Sequence, residues 1–428
     1  MDPVRAEADF RVRIQEMYRD ILGQPVRDEL FNHMLPFWLS HVHPEDGATV
    51  GLVDEDLQAH PESTRGLVFT ARMLWSFASL ALAGFPEASL DRGRREYQVL
   101  RRDFYDPAHG GYVYAAKPGG QVTDDSKLVY AQSFVIYALA AWYRASGETS
   151  ALEDAVRLFR LLEDRCRIQL ADTVVYGEAY TADLQKEIEN PIAEGESDGA
   201  VTMNTTLHLL EAYTGLYEAW PDDTLRTAVI DLTAFVLDKI YDPYHGKLHV
   251  FLNRNLEPTD DLWSLGHDIE AAWLIEHTAD VLEARGGLSA SEKLLTARVH
   301  TMCRHLEESV LPAAIETLVL PSGRDGLWHA NEVRSGETDR TRIWWVQAEA
   351  LSALLNAGIR REDERCLEMA VKLWRSIEEL MVDRRPVGEW HAELTELNEP
   401  RRMPAADPWK ALYHNGRTCL NIISFFEL

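Results

Sequence analysis

Met203-Asn-Thr-Thr-Leu-His-Leu-Leu-Glu-Ala-Tyr-Thr-Gly-Leu-Tyr-Glu-Ala-Trp220 reads as a helix whose large apolar residues recur mostly at offsets of three and four, as an inward stripe requires. A more charged amphipathic segment, Asp222–Lys239, follows it, and then a turn, Asp242-Pro-Tyr-His-Gly. That turn has a near-copy in Asp106-Pro-Ala-His-Gly-Gly, so the unit is repeated. The apolar pattern returns in Thr70–Ala83, Leu128–Tyr143, Ile269–Leu282, Trp345–Ala357 and Leu367–Met381. Aromatic- and Ala-rich helices begin near residues 66, 128, 204, 267, 344 and 413. Their spacing leaves room for two antiparallel helices and loops at a rise of ~1.5 Å per residue. Strand patterns are short: Gly111-Tyr-Val-Tyr-Ala, Lys247-Leu-His-Val-Phe-Leu and Gly388-Glu-Trp-His, each beside a turn signal. Six apolar helices alternating with six amphipathic ones is the count of an all-α (α/α)6 barrel with short β-hairpin loops. Periodicity alone also fits an α-solenoid or an irregular helical protein. No linker-like composition divides residues 1–428, which are expected to form a single domain.

Composition narrows the function. Lys and Arg total 43 against 70 Asp and Glu, a formal charge of −27 over 428 residues. Such a surface repels phosphate backbones and anionic headgroups, so neither nucleic acid nor a membrane is an expected partner. Cys166, Cys303, Cys366 and Cys419 lie far apart with no C-x-x-C pair, which argues against a disulfide framework or structural zinc. The charged start, MDPVRAEADFRVR, lacks the apolar stretch of a signal peptide, and no long uncharged apolar run occurs. A cytoplasmic monomer or homodimer is the expectation.

The unusual feature is polar residues at the N-terminal ends of the apolar helices. These are Arg72, Asn204 with His208, and His267 with Glu270; Trp344 and Trp345 lie beside Gln347 and Glu349, and Trp409 precedes His414. One histidine on an apolar face is most often a core residue. Five helices bringing such residues to the same end point instead to a shared polar cavity. His41 and His43, in a Pro-Glu-Asp-Gly stretch, read as solvated. His267 with Glu270, and Asn204 with His208, have helical ligand spacing, yet H-E-x-x-H and calcium-loop patterns are missing, so no metal is expected. Phosphate-binding glycine loops and a G-x-S-x-G elbow are also missing, and no cofactor is expected.

Four motifs carry a resemblance: Gly266-His-Asp-Ile-Glu-Ala-Ala-Trp-Leu, Met203-Asn-Thr-Thr-Leu-His-Leu-Leu-Glu-Ala-Tyr, Trp344-Trp-Val-Gln-Ala-Glu-Ala and Pro408-Trp-Lys-Ala-Leu-Tyr-His-Asn-Gly-Arg. With Ala71-Arg-Met-Leu-Trp-Ser-Phe and Tyr130-Ala-Gln-Ser-Phe-Val-Ile-Tyr, they resemble the N-acylglucosamine 2-epimerase superfamily in its cellobiose 2-epimerase branch. The resemblance implies an (α/α)6 barrel and interconversion at C2 of a reducing aldose through ring opening and an enediolate, without cofactor. It makes His267 and His414 the general acid/base pair. Arg72, Asn204, His208, Glu270, Trp344, Trp345, Trp409 and Tyr114 would line the sugar site. On this reading Glu270 orients His267.

An aldose–ketose isomerase of the mannose isomerase type shares that site. A glycoside hydrolase or a non-catalytic carbohydrate-binding barrel has less in its favour, because histidines rather than an isolated acid pair dominate the motifs. Three departures stand out: Leu256 where the resemblance leads to Trp, Tyr114 where a Trp often follows the Gly-Gly turn, and Asp46-Gly-Ala-Thr-Val-Gly-Leu in place of a Gly-Gly-Phe stretch. These sites are expected to line the part of the groove that stacks on a second sugar ring, and the aromatic lost at Leu256 favours a monosaccharide.

Overall fold

Helices alternate along the chain between two kinds of burial. The computed structural model describes residues 3–170, 173–190, 201–259, 262–319, 330–332 and 338–427. Three short helices, α1 (Pro3–Tyr18), α2 (Gln24–Glu29) and α3 (Leu35–Ser40), joined by single π turns, form the first outer element. Then α4 (Leu67–Leu82), α6 (Val129–Ser146), α8 (Met203–Ala219), α10 (Leu265–Arg285), α12 (Trp344–Arg360) and α14 (His414–Phe426) alternate with α5 (Pro86–Val99), α7 (Thr149–Arg165), α9 (Asp223–Phe235), α11 (Ala290–Val319) and α13 (Glu364–Ser376).

The even-numbered set is buried all round: every residue of α4 from Leu67 to Ala78 is buried. By contrast α7 buries Ala151, Asp154, Ala155, Leu158, Phe159 and Leu162, one stripe at offsets of three and four. Each inner helix packs on the next, and α14 returns to α4. Each outer helix packs on the inner helix before it. A closed inner ring wrapped by an outer one is an (α/α)6 barrel, as the spacing predicts; the closure excludes the solenoid.

Local chemistry sets the helix ends. Asp222 Oδ1 accepts the amides of Thr224 (2.8 Å) and Leu225 (3.3 Å), capping α9. Gly147, at φ +73°, ends α6 in the left-handed conformation that costs glycine little. The two near-copy turns are alike in detail: Asp106 accepts the amides of Ala108 and His109, and Asp242 those of Tyr244 and His245.

The hairpins are shorter than the sequence suggests. Lys247–Leu248 pairs with Tyr241–Asp242; in the Gly111 stretch Tyr112 bridges Tyr105 and Ala115 opens the strand Ala115–Lys117, while the Gly388 stretch yields the bridge from Val382 to Trp390. Short strands Arg65–Gly66, Lys127–Leu128, Val201–Thr202, Leu262–Trp263 and Arg342–Ile343 each lead into an inner helix. They fix the N-terminal ends of those helices around one mouth of the barrel.

Two expectations are corrected. His43 is buried, its Nδ1 accepting the Glu45 amide, and His41 is half-buried against the Phe37 carbonyl. The Asp46 stretch is tied down: Asp46 takes both terminal nitrogens of Arg65 (2.8 and 3.0 Å), and Thr49 bonds Glu96 on α5. All four cysteines are buried thiols. Among the described residues no helix is long and apolar enough to cross a membrane.

Candidate active site

Counted from its first residue, each of five inner helices carries its inward side chain at the same place. The sixth residue is Arg72 in α4, Phe134 in α6, His208 in α8, Glu270 in α10 and Glu349 in α12, and Arg417 reaches in from the first turn of α14. Gly266 sets one close approach. A Cβ there would lie 2.7 Å from Trp345 and Val346, so only glycine lets α10 and α12 meet and bring His267 onto Trp345. The His267 and His414 rings lie 4.9 and 5.6 Å from Trp345, centroid to centroid. The two imidazoles are therefore at most the sum of these, about 10.5 Å, apart, close enough to reach one small ring from two sides.

Arg417 organises what lies beneath. Its guanidinium donates to Glu211 (2.6 Å), Glu270 (2.8 Å) and Glu349 (2.7 Å), with its face on Tyr413 and Trp273. Glu349 also holds His414 Nδ1 at 2.7 Å and accepts Trp273 Nε1–H at 2.9 Å. Glu211 holds His208 Nδ1 at 2.9 Å and accepts the Tyr413 hydroxyl. A carboxylate only accepts, so both histidines carry their proton on Nδ1 and present Nε2 as a lone pair.

Burial pushes the His414 imidazole down to about 3; the hydrogen bond and charge of Glu349 work against this, and the charges of Arg72 and Arg417 add to it more weakly. His414 is thus neutral at neutral pH. Burial would push the Glu349 carboxyl up, but Arg417 and His414 hold it below the usual carboxylate range. Glu270 goes the other way: burial and the adjacent Glu349 raise it to about 8 despite Arg417. A raised carboxyl stabilises the fold fully below its unfolded value, near 4.5, and loses that contribution as pH climbs through about 8. Glu270→Gln, which mimics the protonated form, is expected to cost little near pH 6. Its melting temperature should fall less steeply than the native one across that window, as a pH series of thermal melts would show.

Arg72 makes no ion pair among the described residues. It donates to the Trp409 carbonyl (2.9 Å) and the Tyr130 hydroxyl (3.0 Å), and its guanidinium lies 4.4 Å from the Phe134 ring centroid. Tyr114 is half-buried beside it, its phenol raised by burial to about 12. Asn204 is half-buried, and its Oδ1 has no partner among the described residues. Its helix start is pinned by Glu178, which accepts the Thr202 amide (2.6 Å) and the Thr205 hydroxyl (2.5 Å). Trp409 stands at the rim, 41% exposed.

Two assignments change. Glu270 does not orient His267: Ser264 Oγ sits 2.7 Å from His267 Nδ1, and Glu270 turns to Arg417. Trp344 is 5% exposed, edge-on to His414 and under Lys410, so it supports the site where Trp345 faces it. The sequence pattern does not single out Tyr130, Trp273, Tyr413 or Arg417 as site residues, although all lie inside the quoted motifs. The recurrence of charged residues on core helices was the signal for Glu211 and Glu349. Glu270, Glu349 and His414 converge closely enough to hold a metal ion. The guanidinium of Arg417, bonded to both of those carboxylates, supplies the positive charge there.

Comparison with known proteins supplies the family. Residues 50–417 match the family model N-acylglucosamine 2-epimerase (GlcNAc 2-epimerase). A cellobiose 2-epimerase of Dictyoglomus turgidum is 32% identical over 403 residues, 94% of this chain and 98% of its own. A D-mannose isomerase of Thermobifida fusca is 25% identical over 390 residues, 87% of each chain. The solved cellobiose 2-epimerase of Bacillus thermoamylovorans superposes with a TM-score of 0.85 at 33% identity, covering 94% of this chain and 98% of that one. The chain belongs to the N-acylglucosamine 2-epimerase family and is a sugar 2-epimerase, an enzyme of the isomerase class.

Proposed function

We propose that the substrate is a glucose- or mannose-type aldose, free or at the reducing end of a disaccharide, and that His267 and His414 invert C2 as an acid/base pair. The observation that supports this reading is that both imidazoles pack against the Trp345 ring, at 4.9 and 5.6 Å, with the Nδ1 of His414 held by Glu349 so that its Nε2 lone pair is left for the substrate. Ring opening needs a proton for the ring oxygen and a base for the anomeric hydroxyl. The residue that gave its proton to the ring oxygen is then free to remove the C2 proton, and the residue that took the anomeric proton returns it to C2 of the enediolate on the other face, which restores both. Arg72, held by neutral groups, directs its charge to the enediolate oxygens. Trp345 and Trp409 offer faces to the C–H side of the sugar.

Incubation with glucose, mannose and cellobiose in heavy water, followed by NMR, tests this. Label entering C2 with a new aldose is expected. Absence of C2 exchange with all three sugars would sink the reading. A ketose labelled at C1 would favour the isomerase alternative, which the mannose isomerase relative keeps in view.

Substrate size turns on Leu256. Its loop follows the strand Phe251–Leu252, which pairs with Val201–Thr202 just ahead of Asn204, so it stands at the same mouth. Leucine gives no flat face for a second ring, and an aromatic stack adds about 1 kcal/mol, several-fold in affinity. Comparable or better kcat/KM on a monosaccharide than on cellobiose is expected, with Leu256→Trp shifting the ratio several-fold toward cellobiose. A native enzyme strongly preferring the disaccharide would refute this.

A further inference from the structure

The Arg417–Glu211 layer divides the barrel lumen. On the far side, between the C-terminal halves of all six inner helices, lies a second cavity of about 670 Å³. This volume lies within the range of small-molecule sites. The catalytic side chains all project from the opposite ends of these helices, so the two spaces share only their dividing wall.

The chemistry of this cavity is selective. Trp75, Trp273 and Phe425 give it aromatic surface, and Ser79 and Ser424 give it hydroxyls. The charges at its rim neutralise one another: Arg144 pairs with Glu218 at 2.8 Å, and Arg360 with Asp280 and with Glu276 at 3.3 Å. An ionic ligand would have to break those pairs. At the wall, Arg417 lines the cavity and is almost wholly buried, and its Nε–H meets no acceptor among the described residues. A buried donor without a partner is costly.

Flat apolar faces, neutral hydroxyls and a balanced rim describe a site for a compound carrying both C–H faces and hydroxyl groups. We propose that the far cavity binds a neutral polyhydroxylated ligand of monosaccharide size, independently of the catalytic mouth. Trp273 borders this cavity and bonds Glu349, the partner of His414, so the ligand would lie one side chain away from the catalytic support.

Methyl β-glucopyranoside is the probe, because its blocked C1 cannot open and no turnover confuses the binding. Calorimetric titration of the native protein is expected to show a binding event that Ser79→Trp, which fills the cavity, weakens at least tenfold while any event at the catalytic mouth persists. Should Ser79→Trp fail to fold, Ser424→Trp at the open rim makes the same test from an exposed position. Titrations that are the same in native and filled proteins, or no binding at all, would overturn the proposal.

Discussion

Alanine at His414 is expected to lower kcat by at least ~10²-fold, the usual contribution of a positioned general acid or base. The fold should survive, since the imidazole's one hydrogen bond among the described residues is to Glu349, and Glu349 keeps Arg417 and Trp273. The loss should appear in kcat and kcat/KM together, because proton transfer is needed only on the way to the transition state. His267→Ala is expected to behave alike. Steady-state epimerisation assays beside far-ultraviolet circular dichroism would decide the matter, and near-native turnover would return either histidine to a structural role. The depressed value of His414 carries its own sign. A buried neutral histidine costs the fold nothing above its ordinary 6.5, and stability is lost as pH falls below that toward about 3.

The second large effect concerns stability. Arg417→Met removes the one guanidinium shared by Glu211, Glu270 and Glu349, all buried. Breaking a buried charge pair from one side costs about 3–5 kcal/mol, because the remaining charges keep their desolvation penalty. Methionine fills much of the volume, so the loss is chiefly electrostatic. Without the cation the three carboxyls should move upward, and their folded forms should hold protons. The destabilisation should therefore be largest near pH 8 and shrink toward pH 5. Denaturant unfolding at both values would measure it; a loss below about 1 kcal/mol at pH 8 would mean that the cluster is solvated.

The barrel was legible in the sequence because a helix buried on all sides and one buried on a stripe leave different periodic traces, as α4 and α7 do. The site was legible as a location: polar residues at helix starts had to share a mouth. Partnership was not legible. Periodicity tells which face points inward, but not which side chains meet across the lumen. Glu270 lies three residues from His267, yet its carboxylate finds Arg417, 147 positions away. Ser264, just ahead of α10, reaches His267 first. Trp344 and Trp345 look interchangeable in sequence, but adjacent helical residues point ~100° apart, so one is a support and the other a face.

Ring closure has a price in chain entropy. Five contacts of the inner ring join neighbouring repeats, whereas the sixth, between α14 and α4, draws together segments such as Arg72 and Trp409, 337 positions apart. Logarithmic loop-closure scaling makes that seam costlier than the others by roughly 1–1.5 kcal/mol. It is therefore the place where the wall should part first under thermal or denaturant stress. Arg72 stands on one lip of that seam, and His414 and Arg417 on the other. Catalysis should consequently fail before the helices do, and the enzyme's working temperature should be set by how firmly one joint stays shut rather than by the strength of the whole cylinder.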